Sequence, residues 1–233
     1  MKKQDGLFLL FMLALFLPFV FSPALYTGYK SFNAEHAFIM AFLKFGILAT
    51  SGEMLGLRIK TGQYIAPGFG ILPRAVVWGF LGIWIAMAMK VFAAGSPAIV
   101  QYLGVDGTVE AMKGGFTIEK LLGAFSISLL MNTAFAPVFM TIHKITDTHI
   151  LNNGGKLSAL ITPLPFGKLL ASLNWDVQWN FVFKKTIPFF WVPAHTITFL
   201  LPPDMQVLFA ALLGIALGVL LAIASVIGGK QKA

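Results

Sequence analysis

Met205-Gln-Val-Leu-Phe-Ala-Ala-Leu-Leu-Gly-Ile-Ala-Leu-Gly-Val-Leu-Leu-Ala-Ile-Ala-Ser-Val-Ile-Gly-Gly229 carries no charge and is closed by Lys230 and Lys232. About 20 consecutive apolar residues carry a helix across the hydrocarbon core of a bilayer, so this stretch reads as a transmembrane helix. A second uncharged run, residues 7–26, lies near the other end of the sequence, and further apolar blocks lie between them. The pattern predicts an all-α, polytopic integral membrane helix bundle.

Composition points the same way: 58% of the residues are hydrophobic and 11% are charged, where a soluble domain carries roughly a quarter charged. The 233 residues suit one bundle and leave no room for a separate soluble domain. In a soluble protein a net charge of +8 would raise the question of nucleic acid. Here the basic residues gather at the ends of apolar blocks, where anionic headgroups account for them. With no aromatic-interleaved basic patch, the expected partner is the lipid bilayer and not nucleic acid. Cysteine is absent, which removes disulfides, thiolate catalysis and cysteine-ligated metals together.

About six transmembrane helices are expected. The first covers residues 7–26, longer than the apolar core of a cleaved signal and therefore read as an uncleaved signal-anchor. The second covers 35–58, with Asn33 as its N-cap and Arg58 and Lys60 at its end. A Gly/Pro-rich hinge over 61–73 leads to a third helix at 74–94, and a polar loop over 95–117 leads to a fourth at 118–143. Residues 144–175 read as turns, and 168–183 as an amphipathic interfacial segment whose Trp175, Trp179, Phe181 and Phe183 supply an aromatic belt. The fifth helix, 186–201, carries Pro188 and Pro193 and is expected to be kinked. Pro202-Pro203-Asp204 turns the chain into the sixth.

Six crossings sort the basic residues by side. Lys2, Lys3, Arg58, Lys60, Lys144, Lys156, Lys168, Lys184, Lys185, Lys230 and Lys232 fall on one side, and Lys30, Lys113 and Lys120 on the other. Both termini are therefore expected in the cytoplasm. With no Arg/Ser-rich leader, a prokaryotic plasma membrane is the expected location.

Ionisable residues at membrane depth are functional candidates by default. They are Lys44, Glu53, Arg74, Lys90 and His195. Glu53 is expected to face the bundle and pair with Arg74 or Arg58, either to lock helix packing or to line a pore or proton path. Lys44 stands about 180° round the same helix from Glu53 and cannot share its face. Lys90 and Lys120 lie near helix ends and read as snorkelling. Asn132, Thr133, Thr196 and Thr198 are candidates for hydrogen bonds between helices, and the pairs Gly52/Gly56 and Gly214/Gly218 for close helix contact. His143 and Asp147, one turn apart, are too few for a metal site. No catalytic triad, carboxylate pair or phosphate-cradling glycine loop is present, so neither an enzyme nor a cofactor is expected.

Trp191-x-x-x-His195-x-x-Thr198-Phe199-x-x-x-Pro203 resembles the signature of the Mpv/PMP family of peroxisomal and mitochondrial inner-membrane proteins. Gly52-Glu53 resembles the family's Gly-Asp, and Arg74-x-x-x-x-Gly79-Phe80 the start of its next helix. Leu129-Leu130-Met131-Asn132-Thr133-Ala134-Phe135-Ala136-Pro137 resembles the one after. Against the family pattern, His195 stands for Gln, Thr198 for Asn, Met131 for an acidic residue, and Gln206 or Val207 for Arg. The family's Gly-Pro and His are also missing around Trp84 to Met89. The resemblance makes residues 1–33 an additional N-terminal transmembrane helix and 34–233 a divergent prokaryotic-type Mpv/PMP-like bundle. Its motif positions are Gly52, Gly79, Phe135, Pro137, Trp191, Phe199 and Pro203.

What the resemblance implies is an integral membrane protein of the weakly selective small-solute channel kind, or a structural or stress-related membrane interaction protein without transport activity. No catalytic residue carries over. Glu53, Arg74, Asn132, His195 and Thr198 mark either the polar path of a channel or a packing network. A lipid-directed membrane enzyme is the third reading, and association with further copies of the chain is left open.

Overall fold

A computed structural model describes residues 3–230, with side chains to residue 216 and at 218 and 219. Lys2 and Lys232, and the side chain of Lys230, which entered the charge sidedness, lie outside the described residues. Every regular element among those described is helical. Helices Lys3–Phe21, Ala37–Thr61, Ile71–Tyr102 and Ile118–Asn152 are each long and apolar enough to cross a bilayer, which makes the chain a helical membrane protein.

The first apolar run is not one helix. It divides into α1 (Lys3–Phe21) and α2 (Pro23–Glu35), because Ser22 caps the second helix by accepting the Leu25 N–H and Pro23 occupies its first turn. Asn33 is not the expected cap. It lies inside α2, and its Oδ1 accepts a 2.5 Å bond from Lys44 Nζ. α3 (Ala37–Thr61) begins at His36 without a side-chain cap and ends in left-handed Gly62, whose N–H bonds Arg58 O.

α4 (Ile71–Tyr102) outruns the expected 74–94. Ser96 and Pro97 are buried, so tertiary packing carries the helix past a proline and into residues that read as a polar loop. A short α5 (Thr108–Ala111) precedes α6 (Ile118–Leu130), which Thr117 caps by accepting the Lys120 N–H. A π-helical turn, Met131–Phe135, joins α6 to α7 (Ala136–Asn152). Pro137 has no N–H for the carbonyl four residues back, and the ladder widens there. The helix thus continues to Asn152, where turns were expected from 144 onward, because Ile145, His149 and Ile150 face inward.

The amphipathic segment 168–183 is not a single helix. α8 (Phe166–Ala171) and the three-residue α9 (Trp175–Val177) flank a break that Asn174 caps, and a π-helical stretch, Gln178–Trp191, follows. It passes directly into α10 (Val192–Leu200), so helical backbone starts well before the expected 186. α11 (Pro203–Lys230) closes the chain. The core is drawn from α3, α4, α6, α10 and α11, around Phe45, Ile85, Ile127 and Phe199. Asp5, Arg58 and Tyr64 meet at one end of the bundle, and Lys30 meets Asp204 at the other.

Candidate functional site

Arg74 lies one turn into α4 and is 6% exposed. Its position is set by the turn before it. Gly70 and Gly155 both have left-handed φ, and a Cβ on Gly70 would stand 2.7 Å from Gly155 Cα, so only glycine lets the two backbones meet. This contact seats the start of α4 against the turn after α7. All three edges of the Arg74 guanidinium are then used. Nε donates to Phe69 O at 2.5 Å, Nη1 donates to Glu53 Oε2 at 2.5 Å, and Nη2 meets Asp147 Oδ1. The guanidinium also lies over the Phe69 ring, 4.5 Å from its centre.

Glu53 is the second hub. Its Oε1 accepts from Trp78 Nε1 at 3.0 Å and lies 3.0 Å from His143 Nε2. The Trp78 and His143 rings are in contact, tilted by 41° with centres 4.4 Å apart. Lys144 Nζ approaches Asp147 Oδ2 at 3.4 Å from the exposed side. Two carboxylates are thus matched by Arg74 and Lys144, with His143 beside them, across α3, α4 and α7. Burying charge is tolerable only with such complete pairing and hydrogen bonding. The residual space here, lined by Arg74, Trp78, His143 and Asp147, is about 10 Å³, room for no more than one water.

The expected Glu53–Arg74 pair is therefore present, and Arg58 is not its rival. Arg58 instead makes a two-point contact with Asp5 of α1, at 2.8 and 3.0 Å. Lys44 is buried elsewhere, on Asn33 and 5.1 Å from the centre of the Tyr29 ring. Lys90 is exposed, and Lys120 Nζ reaches Gly114 O.

Asn132 and His195 form a second group. Asn132 Nδ2 donates to Ser128 O at 2.8 Å and lies 3.0 Å from His195 Nδ1, while Ser128 Oγ donates to Val192 O at 2.7 Å. Trp191 lies against the His195 ring at 5.1 Å. Thr133, Thr196 and Thr198 bond only their own helices, at Leu129 O, Val192 O and Ala194 O, so these three make no bond between helices. The two groups do not meet. Along the helix Asn132 and His143 are about 16 Å apart, and the rings of Trp84, Phe135, Phe139 and Trp78 touch in sequence between them, edge-on or tilted, at 4.9, 5.5 and 6.3 Å.

Trp78 and Ser128 escaped the sequence reading, and His143 and Asp147 were weighed there only as metal ligands. Trp78 follows Arg74 by four residues, and Asp147 follows His143 by four, so each pair shares a helix face; that spacing was the available signal. Among the described residues no group of three His, Asp or Glu could hold a metal. Of the motif positions, Gly52 packs on α11, where a Cβ would meet Ile215 Cα at 2.9 Å, and Gly79 packs on the Phe42 ring. Gly56 and Gly218 likewise adjoin across α3 and α11, while Gly214 faces open space. Phe199 is in the core, Phe135 stands in the aromatic row, Pro137 follows the π turn, and Pro203 starts α11.

Comparison of this chain with family models, with curated proteins and with solved structures gives no match.

Proposed function

We propose that this membrane protein crosses the bilayer six times, with a proline-kinked fifth span and both termini cytoplasmic, and serves as a structural or interaction protein of the membrane. Its charge network is a packing lock. The observation that carries this is the row of edge-on and tilted aromatic rings Trp84, Phe135, Phe139, Trp78, which lies between the Asn132–His195 pair and the Glu53–Arg74 network. A pore of the expected kind needs a continuous polar lining. Alternation of the chain ends supports six crossings, since Asp5 and Arg58 meet at one end and Lys30 and Asp204 at the other. Membership of the Mpv/PMP family rests on the four motifs and their order.

A small-solute channel is the second reading, on one specific observation. Asn132 lies within one π-helical segment, and His195 follows the end of the other by one turn. π-helical turns often mark functional sites, and a shift at these two junctions would reposition the aromatic row. Solute flux through the purified protein in liposomes separates the readings. For a packing lock, Glu53→Gln lowers stability by about 1.5–3 kcal/mol and leaves flux at the level of protein-free vesicles. Flux in the wild type that changes in Glu53→Gln, at an unaltered thermal midpoint, would establish the channel instead.

A further inference from the structure

The contact between Asn132 and His195 decides which proton His195 carries. Ser128 Oγ donates to Val192 O at 2.7 Å, a carbonyl that Thr196 Oγ also reaches. With its one proton spent there, Ser128 Oγ offers only lone pairs to Asn132. The Asn132 amide atom that faces it at 3.3 Å also faces Ser128 O at 2.8 Å. Two acceptors oppose that atom, so it is the nitrogen. Its remaining hydrogen is left for His195 Nδ1, 3.0 Å away. Nδ1 is therefore an acceptor, and the proton of the ring sits on Nε2.

We infer that this contact is an acid-sensitive joint, in which the tie between α10 and the π turn after α6 holds only while His195 is neutral. A proton on Nδ1 would set two donors against each other. If the amide turned its oxygen to His195 instead, that oxygen would stand against Ser128 O, and Ser128 would have to leave Val192 O to supply a hydrogen. Either way, one side-chain bond to α10 is lost. Ser128 and Asn132 are buried, so solvent does not make good the loss.

No charge stands beside His195 to offset this. Of the elements packed against α10, α6 carries Glu119 and Lys120 in its first turn, and the π-helical stretch carries Lys184 and Lys185 ahead of Pro188. α11 carries Asp204 among its described side chains, and the π turn carries none. Lys120 binds Gly114 O, Lys184 binds Asn180, and Asp204 meets Lys30; none of these charged groups bonds His195. The joint is separate from the Glu53–Arg74 network and stands whether that network locks the bundle or lines a path.

The test uses the full chain in detergent micelles. With isotope-labelled histidine, nitrogen NMR at neutral pH should show an imidazole with a bare Nδ1 and a protonated Nε2 that is absent from His195→Gln. A proton on Nδ1, or a charged ring at this position, would overturn the inference. SDS-titrated unfolding from about pH 8 to about pH 4 then spans the ordinary histidine range. The joint is made with the neutral ring, so its stabilisation is present at the alkaline end and is lost as the pH falls. Glutamine offers Asn132 an acceptor that does not titrate, so acidification should raise the unfolding constant about three- to tenfold more in the wild type than in His195→Gln. Asn132→Ala keeps the ring, removes the amide and should lose the same excess, which guards against His195→Gln failing to fold. An equal acid response in the wild type and His195→Gln would overturn the joint. So would an excess that persists in Asn132→Ala, which would assign it to burial of the ring alone.

Discussion

α1 and α3 are both apolar enough to span a membrane, yet they are used in opposite ways. α1 is the more hydropathic, at a mean of 2.0 against 1.5, and none of its spanning window is buried, whereas half of the α3 window is. The side chains explain the inversion. In lipid there is no hydrophobic drive to bring helices together, so contact follows small residues and hydrogen-bonding groups. α3 carries Gly46, Thr50, Ser51, Gly52, Glu53 and Gly56 along its length, while α1 is mostly Leu and Phe. Hydropathy therefore reports which segments enter the membrane. Polarity and size report which are held inside the bundle.

Breaking the α3–α4–α7 lock should have the largest effect. Arg74→Ala leaves Glu53 and Asp147 without their buried cation, and should cost about 3–5 kcal/mol, read from SDS-titrated unfolding in mixed micelles. A loss under about 1 kcal/mol would mean that the network is no more than a surface ion pair. The close contact between α3 and α11 comes next. Gly52→Val places new atoms where Ile215 Cα stands 2.9 Å from the added Cβ, and should cost about 1–3 kcal/mol, with a cysteine crosslink between the two helices becoming slower. An unchanged crosslinking rate would show that the helices do not touch at Gly52.

The smallest effect is expected on α1. Leu10 is 63% exposed, and Leu10→Ala should alter stability by no more than about 0.5 kcal/mol in the same unfolding assay. A larger loss would show that α1 is packed against something in the membrane, and would undo the contrast with α3.

Several features of the site were legible from residue type and spacing. Glu53 facing Arg74 follows from the cost of an unpaired carboxylate at depth, and the opposite placement of Lys44 follows from helical geometry. His143 and Asp147 were visible as an i, i+4 pair but were weighed only as metal ligands, because nothing in the sequence places them beside α3. Glu53, Arg74, Asn132 and His195 were read together as one path or one packing network, and the structure places them in two groups. The aromatic residues between the two groups were not legible as neighbours until Trp78, Trp84, Phe135 and Phe139 were brought together from α4, the π-helical turn and α7.

The sequence by itself determined that this chain is helical and membrane-embedded, since apolar runs of this length must satisfy their backbone groups within one helix. It also determined that its buried charges would pair. Only the tertiary structure decided which charges pair, since Arg58 and Arg74 are equally near Glu53 by type, and one reaches Asp5 while the other reaches Glu53 and Asp147.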